Sequence, residues 1–261
     1  MKLNKLVLLV FVLGLAASSA FAQKTWEKPF QQWDKESALK ILDGSPWAQS
    51  YQSAQGTAAA ERAQSTLEQS DQRLGRAEWG RTARQMAPQP IVIRLQSGLP
   101  LRQALVRLQQ IEAGYDKMSE EKRAQYDART KEFLDCPICK NYYVVTLTKY
   151  RKSSSEGVDD GMFQTLRLED LKGNIQLVND KGEQRQLAHF IAPTRAGESA
   201  VLFFPRKDGK GNILLTPENQ SFKLAFNNTF LEDPKNPYGS LLQRNFEFKV
   251  SKLIVNNELL F

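Results

Sequence analysis

Two cysteines, Cys136 and Cys139, are the residues of this chain whose type and spacing best suit chemistry, and they form a C-x-x-C pair. In an oxidising compartment, two neighbouring thiols with no third cysteine favour a mutual structural disulfide. Thiol–disulfide enzymes use the same spacing, but place the first cysteine at a helix N-terminus, which lowers its pKa. Here the pair follows a predicted helix ending near Leu134 and precedes a strand from Tyr142. The main prediction is therefore a quiet disulfide, and a thiol–disulfide protein is the alternative.

Metal and haem chemistry require ligands that this chain lacks. A structural zinc site takes four Cys or His ligands, whereas the chain offers two cysteines and His189. Only a site shared between chains, or one completed by carboxylates, would hold zinc. The run from Cys136 to Lys140 also reads C-x-x-C-K and resembles the lysine-ligated haem motif of some nitrite reductases, which carry further C-x-x-C-H sites absent here. We predict no metal ion and no cofactor.

The single histidine, His189, is the other residue that could act in catalysis. It lies inside a predicted strand from Gln184 to Ile191, and the sequence has no G-x-S-x-G elbow that would supply a nucleophilic serine. A histidine on a sheet surface or in a satisfied core position explains it better. We therefore predict no catalytic residue, with a hydrolase of unrecognised site as a further alternative.

The elements that position the cysteines are helices on one side and strands on the other. Ile91 to Leu95 reads as a strand, and Pro100 suits the first turn of a following helix. Together with a second, charged helix from Ser119, this predicts helices over about 99–134. From Tyr142 onward, about eight short β-rich runs are separated by turn residues, as in a sandwich. The predicted fold is α+β, with a β-sandwich-like domain over 89–261 and one or two packed helices.

An aromatic segment, residues 23–48, precedes that domain. Asp34 is a good N-cap for a short helix that Gly44 and Pro46 would end. The segment is too short to bury its own large aromatic side chains, so either the sheet domain covers them, which is our default, or a partner does. The predicted interaction surface consists of Trp26, Phe30, Trp33 and Trp47.

Two further segments are predicted from composition. Residues 49–88 are rich in Gln, Ala, Ser and Arg without sustained apolar periodicity, which predicts a flexible linker. Residues 1–22 combine Lys2 and Lys5, an apolar run, and an A-x-A pattern ending at Ala22, which predicts a cleaved signal peptide and a mature chain from Gln23. We therefore expect a secreted or periplasmic protein with no transmembrane segment after cleavage.

The net charge of the 261-residue chain is +7, which is a mild excess for this length. Its basic residues are scattered among acidic ones, and the one compact cluster runs from Lys149 to Lys152. Proteins that bind nucleic acid concentrate positive charge on one face and interleave aromatic residues. We therefore predict no nucleic-acid partner.

Several short motifs are similar to those of an uncharacterised family of secreted bacterial proteins of acidobacterial type. They are Lys28-Pro29-Phe30, Trp33, Ala38, Ile41-Leu42, Ser45-Pro46-Trp47-Ala48 and the run from Cys136 to Val145. The resemblance extends loosely over the mature chain. It implies an exported two-part architecture and no established activity, so it transfers no catalytic residue.

The sequence thus favours an exported, non-enzymatic binding or interaction protein of the cell envelope or extracellular space. Its partner would be another envelope protein. Sandwiches commonly serve as binding scaffolds, and no catalytic constellation is visible, although the first of these reasons is an analogy from fold.

Overall fold

The computed structural model of the protein describes residues 24–51, 91–149, 163–195, 198–233 and 242–261. The predicted signal peptide and residues 52–88 of the predicted linker lie outside these ranges. Within them the chain combines α-helices with antiparallel sheets, so the predicted α+β class is confirmed. No helix in the described parts of the chain is long and apolar enough to cross a membrane.

Helix α1 (Lys35–Gly44) begins at the predicted cap. The carboxylate of Asp34 accepts a hydrogen bond from the backbone N–H of Ser37 at 2.7 Å, which satisfies one of the free N–H groups of the first turn. Ala38, Ile41 and Leu42 recur at helical spacing and are buried. The helix therefore presents one apolar face to the core.

Helices α2 (Leu99–Glu112) and α3 (Glu120–Asp135) occupy the predicted helical span. Pro100 lies in the first turn of α2, and the Ser119 hydroxyl accepts a hydrogen bond from the N–H of Lys122 at the start of α3. The two helices differ in burial, because α3 buries none of its residues completely. Two helices of four residues follow, α4 (Leu168–Leu171) and α5 (Asn228–Leu231).

The described strands form two larger antiparallel sheets and one separate two-stranded sheet. The first contains β1 (Ala48–Tyr51), β2 (Ile91–Arg94), β3 (Tyr142–Lys149), β6 (His189–Ile191) and β7 (Ala200–Pro205) in the order β1-β2-β3-β7-β6. The second contains β4 (Ile175–Asn179), β5 (Gln184–Gln186), β8 (Ser221–Phe226) and β9 (Asn245–Lys249) in the order β5-β4-β8-β9. Strands β10 (Ile254–Val255) and β11 (Glu258–Leu259) form a separate hairpin.

The strand predicted over Gln184 to Ile191 is wrong as a single element. Residues 184–186 form β5 in the second sheet, and residues 189–191 form β6 in the first. Leu187 between them is buried in the core, and Ala188 donates its backbone N–H to the carbonyl of Phe203 at 2.9 Å. The chain thus bends at Leu187. One continuous segment provides edge strand β5 of the second sheet before the bend and edge strand β6 of the first sheet after it.

The two sheets share one core with the N-terminal segment. On the first sheet, Tyr143, Val145, Leu202 and Phe204 face this core. On the second, Phe222, Leu224, Phe246 and Phe248 do so. Trp33 and Trp47 belong to the same cluster, so residues 24–48 are part of the folded core and not a unit apart from it.

The start of the predicted linker at residue 49 is corrected by strand β1. Residues 49–51 belong to this strand, and Tyr51 aligns with Ile91 of β2. The Tyr51 ring also meets Phe246 of the second sheet edge to face, with ring centroids 5.5 Å apart. Pairing with β2 and packing on β9 stabilise an extended segment whose own sequence is only weakly apolar.

Candidate functional site

Most of the predicted interaction surface is buried in the core of the protein. Trp33 and Trp47 are 2% and 0% exposed, and the indole N–H of Trp47 donates to the carbonyl of Leu260 at 2.6 Å. Trp26 is partly buried and meets the Trp47 ring edge to face, while Phe30 packs partly buried against the same core. Trp33 and Trp47 therefore cannot offer a surface to another protein, because the burial that aromatic side chains favour is met inside this chain.

Cys136 and Cys139 form a disulfide with the sulfur atoms 2.03 Å apart. Helix α3 ends at Asp135, and Cys136 follows as its C-cap with φ of 46° while its N–H donates to the carbonyl of Glu132. A single 3-10 turn over Pro137–Lys140 then leads to β3. The pair therefore lies at the carbonyl end of α3, as the sequence indicates.

The first sheet has a second face, which points away from the core. Val144 aligns with Phe203 on this outer face, and together with Cys139 they form a small apolar cluster separate from the main core. Alternation along β3 and β7 explains the separation, because neighbouring residues of a strand point to opposite faces. The disulfide thus packs on the outer face of the sheet.

A groove of about 1010 Å³ opens beside the disulfide. We call it the helix–sheet groove, and its apolar lining consists of Leu105, Phe133, Ile138, Val144, Val201 and Phe203. Cys136 also lines this groove and is half-buried, whereas Cys139 is only 7% exposed. Cys136 therefore borders the groove, whereas Cys139 is almost fully buried.

The guanidinium of Arg102, from helix α2, lies under the disulfide. Its Nε donates to the carbonyl of Leu134 at 3.1 Å, and Nη1 donates to the carbonyls of Gln96 and Ser97. The same Nη1 lies 3.7 Å from Sγ of Cys139, within the range of a hydrogen bond to sulfur. Among the described residues no carboxylate lies within ion-pair distance of Arg102, which is unusual for a buried arginine.

A second cation, Arg206, is partly buried and contacts Cys139. Its Nε donates to the Cys139 carbonyl at 2.6 Å, its guanidinium lies 4.4 Å from the Tyr143 ring centroid, and Nη2 donates to a backbone oxygen of Phe261. Burial lowers the pKa of Arg102 to about 10, with the charge of Arg206 acting in the same direction. Arg102 is therefore still protonated at neutral pH, so positive charge faces the buried sulfur.

His189 lies among aromatic side chains on the first sheet. It is exposed on β6, its Nε2 lies 3.1 Å from the hydroxyl of Tyr142, and its ring packs edge to face against Tyr142 and Phe203. No group of three or more His, Cys, Asp or Glu side chains in the described ranges could hold a metal ion. The structure places His189 on the outer face of the first sheet, two strands from the cysteine turn.

Comparisons of the chain with protein-family models, with curated proteins and with solved structures find no match. The resemblance to secreted acidobacterial proteins therefore stays a prediction.

Sequence reasoning missed Arg102 and the groove. Helix α2 carries three charged residues, and nothing in its local sequence distinguishes the buried Arg102 and Arg107 from the exposed Glu112. Phe133 and Ile138 did leave a signal, because each is a large apolar residue close to the cysteines in sequence: Phe133 lies three residues before Cys136, and Ile138 precedes Cys139.

Proposed function

We propose that the protein is an exported binding protein whose helix–sheet groove takes an apolar segment of another exported or envelope polypeptide. The observation that carries the proposal is the exposure of Phe133 (44%) and Ile138 (48%) beside the apolar floor of this groove. Large apolar side chains gathered at one concave surface are typical of binding sites. The sequence pattern of residues 1–22 and the disulfide support export.

A polypeptide suits this groove better than a compact apolar molecule. Strand β6 is an edge of the first sheet as described, so its outward backbone groups can pair with an added strand. Ile191 on β6 aligns with Val201 of the groove floor and is itself exposed. An extended segment along this edge would gain backbone hydrogen bonds, and its outward side chains would lie beside Ile191, which adjoins the groove floor at Val201.

Charge contributes little to the choice of partner. Arg102, Arg129 and Glu132 line the groove, so charges of both signs lie along it. A strongly acidic or basic segment would meet repulsion as well as attraction there. Apolar contact is therefore the main expected source of affinity.

We also propose that the two sheets form a sandwich. Support comes from the shared core of their inner faces and from the corner at Leu187, where one segment passes from the second sheet to the first. Such an arrangement leaves the outer face of the first sheet free to carry the groove.

A labelled ten-residue peptide with leucine at alternate positions is the probe that tests the groove. We expect Phe133→Ser and Ile138→Ser each to weaken its binding about fivefold to tenfold. The peptide would cover the exposed half of each apolar side chain, and the substitution removes that contact. Ile213→Ser is the matched control, because Ile213 is 47% exposed and lies outside the groove.

Binding is measured by fluorescence anisotropy, with a second peptide carrying asparagine at the leucine positions. The proposal is wrong if both peptides bind equally, or if Ile213→Ser weakens binding as much as the groove variants do.

A further inference from the structure

We propose that the Cys136–Cys139 disulfide is a thiol–disulfide exchange site that oxidises pairs of thiols in a polypeptide held in the helix–sheet groove. The argument for exchange rests on the burial and the charges around the two cysteines. The choice of a polypeptide substrate rests on the proposed function.

The two sulfurs are unequally accessible, which defines where an incoming thiolate attacks. Cys136 is half-buried and lines the groove, whereas Cys139 is buried against Val144 and Phe203. Exchange proceeds by in-line attack on one sulfur while the other leaves as a thiolate. Cys136 is therefore the more accessible residue of the pair for a thiolate arriving through the groove.

The charges around the bond favour departure of Cys139. The positive charge of Arg102 lies 3.7 Å from Sγ of Cys139 and is not neutralised by a carboxylate at ion-pair distance within the described residues. A cation this close stabilises a thiolate and lowers the pKa of the thiol. A thiol of lower pKa is also the better leaving group in exchange.

Cys136 has the opposite surroundings. It follows the last turn of α3, where free carbonyl groups carry partial negative charge, and its own N–H donates to the Glu132 carbonyl. This end of a helix disfavours a thiolate at Cys136. Attack on Cys136 with departure of Cys139 is therefore the preferred direction on grounds of both access and charge.

The reaction balances in two steps. A substrate thiolate attacks Sγ of Cys136, the Cys136–Cys139 bond breaks, and its electron pair leaves on Cys139 as a thiolate. A second thiolate of the same substrate then attacks the substrate sulfur of the mixed disulfide, and Cys136 leaves. The substrate dithiol is oxidised by two electrons to a disulfide, and the protein disulfide is reduced to two thiols that take up protons according to their pKa values.

Reduced glutathione tests the exchange without needing the groove. The protein is allowed to react partially with reduced glutathione, the reaction is quenched with acid, and peptide mapping locates the bound glutathione. We expect it on Cys136 and not on Cys139. Glutathione found on Cys139, or a disulfide that resists reduction as structural disulfides do, would contradict the proposal.

The role of Arg102 is tested by charge in a matched pair of variants. In a Cys136→Ser background, thiolate absorbance is titrated against pH to give the pKa of Cys139. We expect this pKa below about 8.5 with Arg102 or Arg102→Lys, and about one unit higher with Arg102→Met. At a pH above both values of the Cys139 pKa, Arg102→Met in the chain with both cysteines should lower the equilibrium constant for reduction by glutathione about tenfold.

Other charges face this part of the chain and must be held constant. They are carried by Arg206, Asp135, Glu132, Arg129 and Lys140. The exposed Arg244, beside the second sheet, supplies the control variant Arg244→Met, which should leave the pKa of Cys139 unchanged. An equal shift from Arg244→Met would contradict a local effect of Arg102, and if Arg102→Met does not fold, the position of glutathione in the unaltered protein still decides.

A leucine-rich peptide with two cysteines separates this inference from the proposed function. Oxidation of this peptide faster than of its asparagine counterpart supports both. Exchange with glutathione but no preference between the peptides overturns the substrate class, whereas peptide binding without any exchange overturns the redox inference alone.

Discussion

Two regions meet along helix α2, and each is built around a buried arginine. Arg107 donates to the carbonyl of Trp33 at 2.7 Å and forms a two-pronged ion pair with the carboxylate of Asp116 at 3.0 and 2.9 Å. Arg102, five residues earlier, donates to carbonyl groups and approaches a sulfur. The first arginine has its charge neutralised and fixes the N-terminal segment, whereas the second leaves its charge facing the disulfide.

This difference suits the Arg107 region to stabilising the fold and the Arg102 region to chemistry at the disulfide. A buried arginine is costly to desolvate, and a carboxylate partner recovers much of that cost. Around Arg107 the partner is present, so the region is organised for stability. Around Arg102 the described residues provide none at ion-pair distance, and Asp135 acts on it only from farther away, so its charge is available to any thiolate formed beside it.

Trp33→Ala should give the largest loss and tests whether the Arg107 region is structural. Trp33 is almost fully buried, and truncating such a side chain creates a cavity that costs about 3–5 kcal/mol in the free energy of unfolding. Urea denaturation measures the loss. Trp26→Ala is the matched control, since Trp26 is only partly buried and should cost clearly less; equal losses would show that Trp33 holds no special position.

Much of this Arg107 region could be predicted from local sequence, and its tertiary contacts could not. Asp34 identifies the start of α1, and Pro100 the start of α2, because capping and first-turn preferences depend on neighbours in the chain. The position of Trp33 inside the core depends on α2 and the sheets, which are distant in sequence. The same aromatic group was therefore compatible with either a surface or a core.

The Arg102 region shows the same limit at the candidate site. The pairing of Cys136 with Cys139 and their place after a helix could be predicted from spacing alone. The groove could not, because it needs the outer face of β3 and β7 brought against α3. The corner at Leu187, which makes β6 an edge strand, likewise depends on pairing between distant segments.

Replacing both cysteines with serine should have a smaller effect than Trp33→Ala. The loop closed by the disulfide is short, so the chain-entropy contribution is at most about 2 kcal/mol. We expect the fold to survive, with circular dichroism unchanged and a modest fall in the urea midpoint. Reducing the disulfide of the unaltered protein should lower the free energy of unfolding by no more than the same amount. A loss larger than that of Trp33→Ala would show that the disulfide region contributes more to stability than the Arg107 region, which would reverse the comparison.

Asp116→Asn should give the smallest effect, and its dependence on pH identifies the ion pair. The hydrogen bonds from Arg107 hold the pKa of Asp116 below its usual value of 3.8, so the pair stabilises the fold above that pH and less as the pH falls through the lowered pKa. The Asp116 side chain is 62% exposed, and solvent screening limits the contribution to about 0.5–1 kcal/mol.

The measurement that checks Asp116→Asn is the free energy of unfolding in urea at neutral pH and at several values below 4. The gap between Asp116→Asn and the unaltered protein should be constant at neutral pH and shrink in acid, because protonation removes from the unaltered protein the same charge that the substitution removes. Glu36→Gln breaks the pair of Glu36 with Lys40, in which both side chains are at least 77% exposed, and should give no measurable gap at any pH. A gap for Asp116→Asn that persists in acid would mean that the substitution acts through something other than the charge of Asp116. Arg107 would then have no stabilising charge partner, and in this respect the two arginines of α2 would be alike.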